Sequence, residues 1–203
     1  MKQVTGSNQY PLYKDVSIQF TLGGHSFSAL NLPQEVVESE QRVLFEIATP
    51  RVTLVPHTAF DNAIAADYLA AVGLACRAGE VTVCSEMQAP MVAVMAIDKH
   101  LLDQIVATLG ERACFASPLL DESHDNHNCL YVQMVEGVCF ARLINNGLQI
   151  AEAWEAKTAE DALYGVAKLY QAIPNCQNIP IYIKGNAEVA KLLKKYFKEV
   201  VCE

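Results

Sequence analysis

Three side chains with zinc-type donors fall within six residues, His124, His127 and Cys129 in "LDESHDNHNCL", with the carboxylates of Asp121, Glu122 and Asp125 beside them. Two imidazoles and a thiolate on one loop have the donor set of a tetrahedral zinc site. The spacing matches none of the paired-ligand patterns of structural zinc sites, however, and no large apolar residue lies between Leu120 and Cys129. The stretch therefore reads first as a solvated linker and second as a weak metal candidate. Nucleophilic catalysis has less support. A Ser–His or Cys–His pair is distant in sequence by nature, and the chain contains no G-x-S-x-G. His25 sits at a hairpin tip, His57 at a helix start and His100 in a first helical turn, where histidine serves turns and caps. Lys184, Lys191, Lys194, Lys195 and Lys198 make the last helix basic in an acidic chain. The plain reading is a solvated face favoured near a helix C-terminus. The sharper one is a docking patch for an acidic partner. Few aromatics interleave with these lysines, so stacking on nucleic-acid bases is not indicated.

The elements that would position such groups are set by composition and periodicity. The chain has 203 residues, 52% of them hydrophobic and 19% charged, which is the balance of a folded protein with room for two small lobes. No apolar run approaches the roughly 20 residues that cross a bilayer. The start, "MKQVTGSNQYPLYKDV", has no apolar segment of a secretory signal, so a cytoplasmic location is expected. A net charge of −8 repels nucleic acid and anionic membrane on average. Cysteines stand at 76, 84, 114, 129, 139, 176 and 202, without any C-x-x-C and often inside apolar stretches such as "VEGVCFARL". They read as buried thiols in a reducing compartment.

After an irregular leader over 1–14, Val16, Ile18, Phe20 and Leu22 alternate with polar residues, predicting a strand with one buried face. Gly23-Gly24 turns the chain, and "SFSALNL" returns as its partner. "RVLFEIA" makes the third strand of this meander, and "VTLV" a short fourth. A helix is predicted from Pro56 to about Val72 with Phe60, Ile64 and Tyr68 on one face. "VTVCS" and "MVAVMAI" are strands. Asp98 caps a helix whose apolar stripe is Leu102, Ile105, Val106 and Leu109, and Gly110 ends it. "ACFAS" is a further strand.

The order then restarts. "LYVQMVEGVCFARLINNGLQIAEAW" is a three-stranded meander with turns at Glu136-Gly137 and Asn145-Asn146-Gly147. Thr158 and Asp161 form a reciprocal cap on a helix bearing Leu163, Val166, Tyr170 and Ile173. "IPIYI" is a buried strand, "AEVAKLLKKYF" a helix, and "EVVCE" a last short strand. Trp154 reads as a core anchor. Core positions are Ile18, Phe20, Leu22, Leu102, Val106, Leu130, Val132, Leu163, Val166 and Ile181. The expected organisation is a lobe over 15–120, a linker over 121–128 and a second lobe over 129–203. Both lobes are α/β with mixed sheets, each a three-stranded meander plus crossover helices, facing each other across a cleft.

That duplicated arrangement resembles the actin-like ATPase fold, which is ribonuclease H-like and shared by sugar kinases, actin, and bacterial division and pilus-assembly actins. "MVAVMAIDKHLLDQIVATLGERACFASP" looks like the pilus-assembly type. "DVSIQFTLGGHSFSAL", "RVTLVPHTAFD" and "LINNGLQIAEAWEAKTAEDALYGVAKLYQAI", with Thr158, Glu160, Asp161 and Tyr164, resemble an uncharacterised bacterial family, the domain-of-unknown-function family thirty-eight twenty-two. The resemblance runs from Asp15 to the end and brings no assigned activity.

It does imply where a nucleotide site would lie. In active members of the fold, each lobe's first hairpin carries an Asp two residues before a Gly, and the carboxylate organises a divalent cation while the turn contacts phosphate. Here Thr21 precedes Gly23-Gly24 at the first position, and Val135 precedes Gly137 at the second. The adenosine-side Gly pair is reduced to Gly185, followed by Asn186. Thr21, Gly23, Gly24 and Gly185 are thus the weak cleft candidates, with no catalytic residue and no cofactor expected. Three functions compete. The first is a non-catalytic module acting on an unknown protein partner, with no nucleic acid and no membrane. The second is a divergent ATP-dependent kinase or ATPase, and the third a domain stabilised by metal at 124–129.

Overall fold

Apolar alternation from Val16 onward forms strand β2 (Val16–Gly23), and the continuous apolar run "RVLFEIA" forms β3 (Arg42–Ala48). The structure, a computed structural model, describes residues 2–5, 16–23, 32–86, 90–122, 128–172 and 179–203. It separates into two units, Met1–Asp121 and Glu122–Glu203.

In the first unit, β1 (Lys2–Thr5), β2, β3 and β7 (Ala113–Ala116) form a four-stranded sheet in the order β1-β2-β3-β7. β1 is antiparallel to β2, whereas β2, β3 and β7 run parallel. The sequence reading made β3 the third strand of an antiparallel meander, and the structure corrects it. The short helix α1 (Gln34–Glu38) lies between β2 and β3 and gives the chain the length for a parallel crossover. From Val43 to Ala48 every residue of β3 is buried, as a parallel strand covered on both faces requires. The expected return strand in "SFSALNL" lies outside the described residues apart from Leu32. Phe20, Phe45 and Phe115 occupy paired register positions on the three strands. Their ring centroids are 5.9 Å and 6.1 Å apart.

A second sheet, β4 (Val52–Pro56), β6 (Met91–Asp98) and β5 (Glu80–Cys84), is antiparallel in the order β4-β6-β5. The helix predicted from Pro56 begins only at Ala65, as α2 (Ala65–Ala71). Before it come two 3-10 turns: His57–Ala59, closed by the Phe60 N–H donating to the His57 carbonyl, and Asn62–Ile64, where the Asp61 carboxylate accepts from the Ala63 N–H at 2.9 Å. Ile64, expected on the apolar face, is 45% exposed. Phe60 and Tyr68 do meet, stacked at 5.9 Å. Helix α3 (Lys99–Leu109) is capped as expected, with Asp98 Oδ1 accepting from the Leu101 N–H at 3.0 Å and Gly110 at φ +57° ending it. Its buried stripe is Leu101, Ile105 and Leu109: Ile105 and Leu109 were expected there, and Leu101 takes the place expected of Leu102 and Val106. Leu102 is only half-buried and Val106 is 51% exposed, because apolar residues occupy two neighbouring phases of this helix and the 101-105-109 line is the one that packs.

In the second unit the predicted meander forms as β8 (Cys129–Val135), β9 (Val138–Ile144) and β10 (Leu148–Glu155). β11 (Ile181–Lys184) and β12 (Val200–Cys202) extend the sheet in parallel to give the order β10-β9-β8-β11-β12. The β8–β9 turn has Glu136 at φ +48° and Gly137 at +77°, the two positive angles of a type I′ hairpin. Helix α4 (Ala159–Ala172) carries the reciprocal cap: Asp161 N–H donates to Thr158 Oγ1 at 3.1 Å, and Thr158 N–H to Asp161 Oδ2 at 3.0 Å. The Thr158 hydroxyl bond, with the backbone bonds from Thr158 and Lys157, holds the Asp161 carboxyl below its ordinary range. Helix α5 (Ala187–Leu193) starts on Asn186, whose Oδ1 accepts from Glu188 and Val189 N–H. Leu130, Val132, Val166, Ile181, Ile183 and Leu193 meet in one core, with Leu163 half-buried against it.

Trp154, on the edge strand β10, packs against that core, and its indole occupies the space that a Cβ at position 165 would take. Gly165 in the middle of α4 costs about 1 kcal/mol of helix propensity relative to Ala, and the indole is the reason it is there. Gly165→Ala is expected to destabilise the wild type by about 1–2 kcal/mol through overpacking. The same change in a Trp154→Ala background should stabilise, because only the propensity gain is left. Urea unfolding of the four proteins checks this, and additive effects would rule the contact out.

Candidate functional site

Three parallel strands of the first sheet end at the same edge, and the loops leaving that edge are the usual position of ligand sites in α/β folds. There, Thr21 on β2 pairs in register with Glu46 on β3. The Thr21 hydroxyl donates to Glu46 Oε2 at 3.1 Å, and Glu46 is 3% exposed. Just beyond the strand ends come Thr49 and Ser117, both fully buried. Their hydroxyls serve the backbone: Thr49 Oγ1 accepts from the Arg51 N–H at 3.2 Å, and Ser117 Oγ from the Leu119 N–H at 3.2 Å. Asp121, which the sequence assigned to a solvated linker, closes the turn Pro118–Leu120 and is 1% exposed.

Gly23 ends β2 opposite Ala48. Gly24 lies outside the described residues, as does His25. In the second unit, Val135, expected from the resemblance to stand at the acid's position, ends β8 half-buried with an apolar side chain. Gly185 follows β11 at φ +91°, and a Cβ there would stand 2.8 Å from the Met134 carbonyl oxygen. This glycine is required by the close approach of two strands, whatever else it does.

Of the metal candidates, His124 and His127 lie outside the described residues, and Cys129 is fully buried at the start of β8. Among the described residues, no group of three His, Cys, Asp or Glu side chains is placed to hold a metal. The thiols that could be nucleophiles are poorly disposed to ionise. Burial pushes Cys84 up to about 11 and raises Cys114 and Cys139 as well, with Arg42 partly opposing the shift at Cys114.

Glu46 is the residue that sequence reasoning missed. Its signal was an acid in the middle of the apolar run "RVLFEIA", and the same signal marks Arg142 in "VCFARLI". Arg142 and Gln133 are buried polar residues on the face of the second sheet turned away from the core of Leu130, Val132, Ala141 and Leu143. Gln133 Oε1 has no hydrogen-bond partner among the described residues.

No protein-family model and no curated protein matches the chain. Solved structures do. A crystal structure from Bacteroides thetaiotaomicron, of a protein with actin-like ATPase fold and unknown function, aligns over 84% of this chain and 74% of its own at TM-score 0.68 and 18% identity. This similarity shows the fold, a mixed α/β actin-like ATPase fold. An AlfA filament bound to AMPPNP aligns over 83% of this chain, and over 54% of its own, at TM-score 0.41 and 14% identity. The cytoplasmic domain of EpsL, an inner-membrane component of the type II secretion system of Vibrio cholerae, aligns over 83% and 68% at TM-score 0.42 and 12% identity. Both are too distant to inform the site. Among the described residues no helix is long and apolar enough to cross a membrane.

Thr21→Val keeps the shape of the side chain and removes the donor to a buried carboxylate. It should destabilise by about 1–3 kcal/mol, measured by chemical unfolding. A change within experimental error would show that Glu46 does not depend on Thr21.

Proposed function

We propose that this chain is a non-catalytic module of actin-like fold, with two related lobes, that acts through protein contacts in the bacterial cytoplasm, and that it is akin to the domain-of-unknown-function family thirty-eight twenty-two. The observation that carries this reading is the state of the two strand ends where the fold's active members hold a cation. At the first, a threonine replaces the acid and its hydroxyl is engaged by a neighbouring buried carboxylate. At the second, Val135 offers no ligand. A triphosphate brings about four negative charges, and magnesium held by carboxylates is what makes them tolerable in an acidic protein. Neither Thr21 nor Val135 would offer that cation a carboxylate, which is what supports the module reading.

One observation favours a second reading, a divergent ATP-dependent kinase or ATPase. Glu46 is itself a carboxylate beside the first strand end, and a cation reached through β3 instead of β2 would give it a role. Calorimetric titration with ATP and magnesium separates the two. The module reading expects no binding tighter than about 1 mM, or about −4.1 kcal/mol. Micromolar affinity lost in Glu46→Gln would establish the enzyme reading instead.

A further inference from the structure

Helix α5 ends in a turn that is held firmly from below. Lys194, Lys195 and Tyr196 N–H donate to Ala190, Leu192 and Leu193 carbonyls, Leu193 is fully buried, and Phe197 meets Tyr170 edge to face at 5.0 Å. Tyr170 is fixed in turn by its hydroxyl bond to the Ile179 carbonyl at 2.7 Å. From this ordered base Lys191, Lys194, Lys195 and Lys198 are exposed, with Tyr196 among them at 67% exposure. None of the four lysines has an ion pair or side-chain hydrogen bond among the described residues. Residues 184–203 carry five lysines and three acids in a chain of net charge −8, so the cations are concentrated where the rest of the molecule is more acidic still. Four like charges within eight residues repel one another, a cost that the fold itself does not recover through pairing.

We propose that Lys191, Lys194, Lys195 and Lys198, around Tyr196, form a docking surface for a short acidic peptide segment of a partner protein. This deepens the module reading and rests on it. Charge complementarity selects the partner: carboxylates meet unpaired ammonium groups, and the exposed tyrosine provides an aromatic anchor with few rotamers to fix. The size of the patch selects a peptide over an extended polyanion. Duplex nucleic acid or an anionic bilayer presents charge well beyond the patch, and the exposed carboxylates of Glu188 and Glu199, which flank the lysines in sequence, oppose so extended a polyanion. A short segment carries its charge only where the lysines are.

The test is fluorescence anisotropy of a labelled decapeptide of Glu and Asp with a central Leu, titrated with the full chain at about 0.15 M salt. Saturable binding is expected, weakened about tenfold or more in Lys194→Glu/Lys195→Glu. Tyr196→Ala should weaken it severalfold at unchanged charge. Lys157→Glu/Lys168→Glu, the same charge change at exposed lysines outside the patch, should leave it unaltered. Circular dichroism verifies that each variant is folded. Absence of saturable binding, equal loss in the two double variants, or tighter binding to phosphatidylserine vesicles or duplex DNA than to the peptide overturns the proposal. Titrating the same samples with magnesium and ATP keeps the two claims apart. Failure with the peptide and with ATP removes the docking surface alone, whereas micromolar ATP affinity removes the module reading.

Discussion

A carboxylate in the middle of a buried parallel strand has to be satisfied by the chain around it, because an isolated charge in that position costs far more than a hydrogen bond returns. Glu46 is such a group, and the first unit is arranged so that it can be tolerated. β3 is held between β2 and β7 in parallel, and the row of Phe20, Phe45 and Phe115 sets the register. That register brings Thr21 opposite Glu46 with its hydroxyl at hydrogen-bonding distance. Sliding β2 by one residue would turn Thr21 to the other face and move Phe20 out of the aromatic row, so packing and polar satisfaction depend on one alignment. In the second unit, β8 ends on the half-buried, apolar Val135.

Much of the architecture was legible because local chemistry and global fold agree. Asp98 and Gly110 bound α3, Thr158 and Asp161 cap α4, and Glu136-Gly137 makes the β8–β9 hairpin, all from residue types whose backbone consequences are strong. The misreadings arose where the sequence permits two answers. Leu101, Leu102, Ile105, Val106 and Leu109 supply two adjacent apolar stripes on one helix, and only tertiary packing chooses between them. The run "RVLFEIA" fits an antiparallel strand by propensity, while its lack of alternation was the sign of a parallel strand buried on both faces. At Pro56 a residue suited to a helix start instead ends a strand, because the ladder with β6 extends to it, opposite Met91, and the His57 N–H still donates to the Pro90 carbonyl.

The candidate site was less legible than the fold. Positions Thr21, Val135 and Gly185 could be singled out because the pattern expected from the resemblance is local in sequence and needs no strand pairing to be read. Glu46 could not be linked to Thr21 without strand pairing, since 25 residues separate them. The exposed lysines of the last helix were visible as a cluster, but only the structure shows that they remain unpaired while the turn carrying them is fixed by Leu193 and Phe197. These lysines stand on a turn whose Leu193 and Phe197 pack into the core of the second unit.

The central claim is that the Glu46 carboxylate belongs to the internal structure of the first unit and not to a bound cation. The carboxyl-carbon NMR resonance of Glu46, assigned with Glu46→Gln and followed while magnesium and then ATP are added, reports on this directly. The resonance is expected to stay unmoved up to about 1 mM of either, an affinity no stronger than about −4.1 kcal/mol. A saturable shift at micromolar concentrations, with magnesium and ATP each strengthening the effect of the other, would contradict it.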